Sequence, residues 1–578
     1  MMIEQSWPGL YTATNLARSG LLSAVIVELE PLDDARWSLR GLRGAAQVAG
    51  WRPALEAFLG FRHGIKHSIG RIGKPRTYPQ LSDLRKWHVD VHRVAAFKSE
   101  PCHELLQRLA PDVTILCGTP ILPESLLSIA RICTLNTHTS VLPHYRGGGS
   151  LDWPLFFRDT EKIGFTIHKA VAKVDAGPYL YQEAIAVEAR DTGHDLLRRA
   201  FVRATEKMIE ILRESPLDAT DFKQYEKPLA HSWRTPDSMV RRYIHGPSFR
   251  HKTRPVVQRL AWNMRLNPFP RRKDHGIAVF VFHRALANDT PRSDWRRIMG
   301  HPTVDELREK LLYLRERLDI IPAAQALELI DRRQPLQQSY AVITADDGYR
   351  DFRTHFLPLA DALRVPATLF VCTGATMSGS VWFQKLYDLI TQIRSDRLYL
   401  PWADRRIYFG DVEHRVLTIE RVIIPYIKRL TRENRRRRLE DLFQSNPVDS
   451  ETDPRDAFCD IRDLLELKAS RGIELHLHSH EHDPYETLTD KELEEDVRAC
   501  QGFFSEKLGI QSTVLSYPNG GFRSEQACLL SRLGIKHAFS TIRGFEQPPT
   551  ARPYSILRAG MANEPLAGFH WGLSRDLR

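Results

Sequence analysis

Between residues 473 and 478 apolar and polar positions alternate strictly. Ile473, Leu475 and Leu477 fall on one face of a strand, and Glu474, His476 and His478 on the other. Pro484 stops regular structure a few residues later. Residues 340–344, Tyr-Ala-Val-Ile-Thr, form an unbroken apolar, β-branched run, which predicts a buried strand. Nearer the amino terminus the pattern predicts a helix over 11–18 ended by Gly20, then a strand at 22–28. A strand at 112–117, a helix at 123–130 and strands at 132–135 and 164–170 follow. Alternation of this kind predicts an α/β chain. A doubly wound domain normally opens on a strand, and only residues 1–7 are available for it. That first strand is expected to be poor, or missing through truncation of the chain start. Residues 31–95 are rich in Arg, Gly and His, have weak periodicity and receive no assignment.

A chain of 578 residues exceeds one hydrophobic core, so two to four domains are expected. Residues 216–275 read as a basic linker, because Trp233-Arg-Thr-Pro236 and the stretch 250–273 mix Pro, Arg and aromatics without an amphipathic period. A solvated connector is preferred there over nucleic-acid contact, and a nucleic-acid partner is not expected. Residues 395–470 read as a helical insertion, with Arg435-Arg-Arg-Arg438 on a solvated face. No internal repeat is found.

The net charge of +11 favours acidic ligands such as nucleotides, folate polyglutamates or phosphorylated sugars. Seven scattered cysteines without a Cys-x-x-Cys suit a reducing compartment and no structural zinc cluster. No apolar run has spanning length and the start lacks signal-peptide character, so a cytoplasmic location is expected.

Three clusters carry candidate chemistry. Four histidines crowd into residues 476–482. His478 and His482 can aim two imidazoles at one divalent cation if the chain turns helically after the strand; a solvated polar loop is the alternative. Asp346 and Asp347 follow the strand at 340–344, at the end where α/β folds keep their chemistry. One carboxylate can bind the cation while the other takes a proton from the attacking water. Taken alone, Asp-Asp-Gly348 reads more readily as a turn. Asn136 and His138, two apart in extended chain, fall on one face, where an amide donor and an imidazole suit an acyl-transfer oxyanion and its proton. Asp175, in the loop after the strand at 164–170, can set the state of that histidine.

In order, Thr344-Ala-Asp-Asp-Gly348, His478-Ser-His-Glu-His482 and Ser516-Tyr-Pro-Asn-Gly520 resemble the motifs of the polysaccharide deacetylase (NodB-homology) family. Phe280-Val-Phe-His283, Pro366-Ala-Thr-Leu-Phe370 and Gly534-Ile-Lys-His-Ala-Phe-Ser540 are similar to its strands. This resemblance covers about 276–562. It implies a distorted (β/α) barrel with Asp347, His478 and His482 as ligands of a divalent metal, zinc being expected. It implies Asp346 as general base and Pro518 in the loop that walls the pocket. Two positions depart from the family: Ala345 replaces an aromatic, and Tyr554-Ser-Ile-Leu-Arg558 lacks the histidine that many members use as general acid.

Leu135-Asn-Thr-His-Thr-Ser-Val-Leu-Pro-His-Tyr-Arg-Gly147, followed by Val174-Asp-Ala-Gly-Pro178 and Asp191-Thr192, resembles the folate-dependent formyltransferase family. This resemblance covers about 100–215 well and implies a Rossmann-like domain. Asn136, His138 and Asp175 would be its catalytic trio, 10-formyltetrahydrofolate the donor, and Ile121, Leu122 and Pro123 the lining of the pterin pocket. The expected organisation is a formyltransferase-like domain at 1–215, the linker, and a deacetylase-like domain at 276–578. The expected function is a bifunctional enzyme that removes N-acetyl from an amino sugar, free or nucleotide-linked, and formylates an amine. The alternative is a metal-dependent carbohydrate deacetylase whose amino-terminal half only binds substrate or a partner.

Overall fold

The computed structural model describes residues 1–28 (except 5), 80–188, 191–214, 217, 221–226, 232–245, 275–448 (except 394) and 457–576. Most of residues 31–95, left unassigned above, and the stretch 250–273 therefore fall outside the described residues. The chain divides into two compact units, Met1–Ser248 and Phe249–Arg578.

The first unit is built on β1 (Met2–Ile3), β2 (Ala24–Glu28), β3 (Asp90–Val94), β4 (Val113–Cys117), β5 (Cys133–His138), β6 (Arg146–Gly147), β7 (Gly164–Lys169), β8 (Tyr179–Ala184) and β9 (Ser232–Trp233). Seven of these form one sheet in the order β3-β2-β1-β4-β5-β7-β8. It is parallel from β3 to β5, and β7 and β8 run antiparallel. Helices Trp7–Arg18, Glu100–Leu109 and Gly193–Glu214 are placed between strands in the chain, giving a doubly wound α/β unit. The opening strand, expected to be poor or missing, is present. It is only two residues long, yet it sits mid-sheet, with Met2 opposite Ile26 and Leu116, and Ile3 opposite Val27 and Cys117. Both side chains are buried, so tertiary pairing holds a strand too short to show a period.

The described part of 216–275 is not an extended connector. Ser232–Trp233 pairs with Arg146–Gly147, and the Trp153 indole donates to Arg234 O at 2.7 Å. Trp233 packs among Tyr145, Trp153 and Phe157, with ring centroids 6.5, 5.1 and 5.2 Å away. Trp233, which looked like linker composition, belongs to an aromatic cluster.

The second unit holds β10 (Ile277–Phe282), β11 (Asp319–Ile320), β12 (Tyr340–Ala345), β13 (Ala367–Val371), β14 (Arg397–Leu400), β15 (Arg405–Tyr408), β16 (Ile473–Leu477), β17 (Val514–Ser516), β18 (His537–Phe539) and β19 (Ala559–Gly560). Its main sheet runs β18-β17-β16-β13-β12-β10-β19 with every pairing parallel, and β11 adds to β12. Helices Val304–Arg315, Ile461–Ala469 and Asp490–Phe503 bury Leu311, Leu464 and Val497 in the core shared with these strands. Single bridges, Phe539 to Ile556 and Ile277 to Glu546, join the ends, the form of a distorted barrel.

The insertion is helical only in part. It opens with the antiparallel hairpin β14–β15, and the helix at its end, Ile461–Ala469, belongs to the barrel. Arg435 is also not solvated: it is 1% exposed and paired with Asp483. No helix among the described residues is long and apolar enough to cross a membrane.

Candidate functional sites

In the second unit β12 delivers Asp346 and Asp347, and β16 delivers His478, to the same edge of the parallel sheet. After β16 the chain does not turn helically. It reverses in a tight turn with Ser479 and His482 in the left-handed region (φ 63° and 55°) and the Ser479 hydroxyl accepting from the His482 N–H at 2.8 Å. Asp347 is left-handed as well (φ 76°), so two of the three predicted ligands occupy a conformation that costs roughly 1–3 kcal/mol each. That strain sits at the site. The result brings Asp347 Oδ1 to 3.2 Å from His478 Nε2 and 3.2 Å from His482 Nε2. One ligand atom from each residue lies within 4.8 Å of the others, and all three side chains are buried.

The donor set fits a divalent cation. His478 Nδ1 lies 2.9 Å from Ser516 O, a carbonyl that only accepts, so the ring's proton is held there when neutral. Its Nε2 lone pair then faces a carboxylate oxygen. Asp347 Oδ1 is buried without a conventional hydrogen bond, and a cation among these atoms satisfies all of them. Burial pushes the Asp347 carboxyl up, but the two imidazoles outweigh it and hold it well below the usual range. Burial lowers His482, while His478, which also faces Asp346, ends raised.

Asp346 does not join that set. The Arg558 guanidinium grips both its oxygens, NH1 to Oδ1 and NH2 to Oδ2 at 2.8 Å each, and the Ser516 hydroxyl donates to Oδ2 at 3.2 Å. Burial opposes ionisation, yet Arg558 and then His478 lower the Asp346 pKa below its ordinary value. Arg558, where the sequence lacks a histidine, thus keeps Asp346 ionised. Replacing Arg558 with Met leaves burial without its compensation, so the Asp346 pKa rises. The ionised carboxylate is present above that pKa and lost as pH falls through it. The acid limb of a deacetylation pH profile is therefore expected to move to higher pH.

Several supports were not legible as function. The Trp382 indole donates to His482 O at 3.0 Å, and the Phe383 ring lies 4.5 Å from the His482 ring. Asp496, fully buried on Asp490–Phe503, accepts from His480 N, Glu481 N and Tyr485 Oη at 3.1, 3.0 and 2.9 Å. Asp496→Ala orphans these donors at about 1–3 kcal/mol each. It is expected to lower the melting temperature and, by loosening the turn that carries His482, to weaken metal binding; calorimetry with a metal titration checks both. His476 and His480 are not ligands: they bond Ser512 Oγ and Thr373 Oγ1. Pro518 is buried in the turn after β17. His283, exposed at the end of β10, lies 6.3 Å ring to ring from half-buried His301.

In the first unit β5 carries Asn136 and His138 to the sheet's carboxyl edge. Asp175, left-handed at φ 45°, meets both: Oδ2 lies 3.3 Å from His138 Nδ1, and Asn136 Nδ2 donates to Oδ1 at 3.4 Å. The Asp175 loop is clamped by Gly147 N donating to Oδ2 at 2.8 Å and by the Arg146 guanidinium donating to Val174 O and Asp175 O. His138 Nε2 is 2.6 Å from Tyr145 O, so one proton cannot serve both that carbonyl and Asp175. Burial lowers the His138 pKa despite Asp175. Asp175 is held below the usual range, because His138 and His168 outweigh its burial. His168, on β7 opposite Asn136, was missed: its Nε2 is 3.2 Å from Asn136 Nδ2 and 3.4 Å from Asp175 Oδ1. A histidine inside an apolar strand gives no local signal. Of the predicted pterin lining, Ile121 is 65% exposed and Pro123 is open, but Leu122 is 5% exposed and packs in the core with Met2, Val94 and Phe97.

Residues 79–212 match the formyl transferase family model, and residues 439–538 match the polysaccharide deacetylase model. The chain joins a formyl transferase segment to a polysaccharide deacetylase segment. Asp346 and Asp347 precede the second matched stretch, and folding brings them to it. The formyl transferase segment is similar to methionyl-tRNA formyltransferase of Legionella pneumophila, 26% identical over 186 residues, 31% of this chain and 59% of that protein. It is also similar to GDP-perosamine N-formyltransferase of Brucella melitensis, 34% identical over 119 residues, 20% of this chain and 46% of that protein. The chain thus spans about half the length of these curated relatives. Among solved structures, the Streptococcus pyogenes deacetylase PplD in complex with acetate aligns with 53% of this chain and 100% of its own, at 12% identity and a TM-score of 0.35.

Proposed function

We propose that the chain is a bifunctional cytoplasmic enzyme: its deacetylase unit hydrolyses an N-acetyl group from an amino sugar, and its formyl transferase unit formylates the amine so exposed. The observation that carries this reading is the convergence of Asp347, His478 and His482 on one point beside an ionised carboxylate. Those three would hold a divalent cation, zinc by the donor set, which supplies Lewis acidity toward the amide carbonyl and the attacking water. Asp346 takes the proton from that water, and Arg558 keeps it ionised to do so. Arg558 is committed to Asp346 and its guanidinium stays charged, so it does not supply the proton for the departing amine.

In the other unit Asn136 donates to the developing oxyanion, while His138, set by Asp175, accepts the amine's proton. The donor is assigned as 10-formyltetrahydrofolate, with Ile121 and Pro123 available to its pterin. A unit that only binds a partner has no need of Asn136, His138 and Asp175 gathered at one point. The name of the GDP-perosamine relative and the charge of +11 support a nucleotide-linked amino sugar as substrate.

The test is mass spectrometry of an N-acetyl amino sugar nucleotide incubated with the full chain. Free amine is expected without the formyl donor and formamide with it. Amine that accumulates and never becomes formamide overturns the coupling.

A further inference from the structure

The insertion and the metal-binding turn together enclose a cleft of about 870 Å³, within the range of roughly 300–1,000 Å³ that small-molecule sites occupy. Helix Arg432–Ser445 contributes Arg436, Leu439, Glu440 and Phe443, spaced three and four apart and so along one face. Helix Trp382–Gln392 contributes Trp382 and Lys385 in the same way. The turn contributes His480, Glu481 and Asp483, the near neighbours of the ligand His482. Cleft and metal cluster therefore share one turn. Trp382, which lines the cleft, also donates its indole N–H to His482 O at 3.0 Å.

The lining carries three chemistries. Trp382, Leu439, Phe443 and Met377, the last 64% exposed, form an apolar and aromatic surface open to a ligand. Arg435 lines the same cleft but is 1% exposed. Its Nη1 donates to Asp483 and its Nη2 to Leu430 O and Thr487 Oγ1, while its Nε is buried without a hydrogen bond. An unmet donor on a buried charge is costly, and an acceptor brought by a ligand removes that cost. Two exposed cations stand nearby. Arg436 meets Glu481 at 3.8 Å, a surface pair of little strength, and Lys385 has no ion pair among the described residues. Glu440 and Glu481 are the third element, carboxylates that only accept.

No simpler ligand satisfies all three. Inorganic phosphate or diphosphate meets the cations, but Glu440 and Glu481 repel it and the aromatic surface stays bare. A polyprenyl diphosphate covers the apolar side and offers the carboxylates no donor. A neutral sugar brings no charge to Arg435, Arg436 and Lys385. A nucleoside diphosphate supplies each part: a flat base for Trp382 and Phe443, phosphate oxygens for the cations, and hydroxyl and amino donors for the carboxylates.

We propose that this cleft is a nucleotide site, which holds the nucleoside diphosphate of a nucleotide-linked substrate beside the turn that carries His482. The proposal rests on the deacetylase reading, and its test keeps the two apart. Binding of GDP, UDP, inorganic diphosphate and guanosine to the zinc-loaded full chain is measured by calorimetry, for the parent and a Lys385→Met, Arg436→Met double variant. Both side chains are exposed, so the fold is retained, and matched melting temperatures check this. Alongside, KM is measured on a free N-acetyl amino sugar and on its nucleoside diphosphate derivative.

At least one nucleoside diphosphate is expected to bind roughly tenfold or more tightly than inorganic diphosphate or guanosine. The double variant should lose roughly tenfold or more of that affinity. Its KM for the nucleotide-linked sugar should rise by a similar factor relative to the free sugar. Nucleoside diphosphate binding that is absent, or equal in parent and double variant, overturns the proposal. Inorganic diphosphate bound as tightly as GDP and UDP overturns it too, leaving only a basic patch. Nucleotide affinity that depends on Lys385 and Arg436, in a protein that hydrolyses neither sugar, supports the cleft and overturns the deacetylase reading instead.

Discussion

Asp347→Asn is expected to abolish stoichiometric metal binding and, with it, deacetylation. Asn matches Asp in size and tolerates the left-handed backbone at this position (φ 76°), so the fold is retained. The variant removes the charge that faces His478 Nε2 and His482 Nε2 at 3.2 Å. Losing an outer partner of a metal ligand costs roughly 10–100-fold in affinity or activity, and loss of the ligand itself should exceed that. Metal analysis after gel filtration and an acetate-release assay check both effects. Formyl transfer to a supplied free amine should be unaffected, since Asn136, His138 and Asp175 belong to the other unit. Full metal content in Asp347→Asn would remove the site as described.

The second large effect belongs to Asn136→Ala. Its amide is held by His168 Nε2 at 3.2 Å and Asp175 Oδ1 at 3.4 Å, which fixes where the donor sits. Removing one such oxyanion donor lowers the rate roughly 10²–10³-fold. Because the deacetylase residues are untouched, the variant should turn a formylating enzyme into one that releases free amine even with the formyl donor present. Product mass spectrometry reads this directly: formamide at the parent's rate would take Asn136 out of the reaction.

The contrast between residues the sequence displays and those it hides has a physical basis. Asp347, His478 and His482 were legible because chemistry-bearing residues at strand ends stand out against apolar runs such as β12 and β16. Arg558 and Asp496 were not, because each matters through a contact some 212 or 15–16 positions away, and nothing local marks it. β1 was hidden for a related reason: two residues carry no period, and their strand state comes from Ile26, Val27, Leu116 and Cys117 on either side. Composition misled in the insertion and the linker. Arg435 sits in a charged run yet is buried against Asp483, and Trp233 sits in an Arg- and Pro-rich stretch yet belongs to an aromatic cluster. Leu122 shows the opposite error: a motif position taken for ligand contact is a core leucine.

The strain is distributed in the same spirit. Asp347, His482 and Asp175 are left-handed residues at the two candidate centres, held by Cys372 N on Asp347 O, Trp382 on His482 O and Gly147 N on the Asp175 carboxylate. Conformations of this kind persist where the surroundings over-determine them.

The most direct test of the central claim is anomalous diffraction at the zinc edge from crystals of the zinc-loaded full chain. The account predicts one strong peak in the second unit, bonded to Asp347 Oδ1, His478 Nε2 and His482 Nε2, with Asp346 turned away to Arg558. A peak at another set of residues, or no peak among these three after loading, contradicts it.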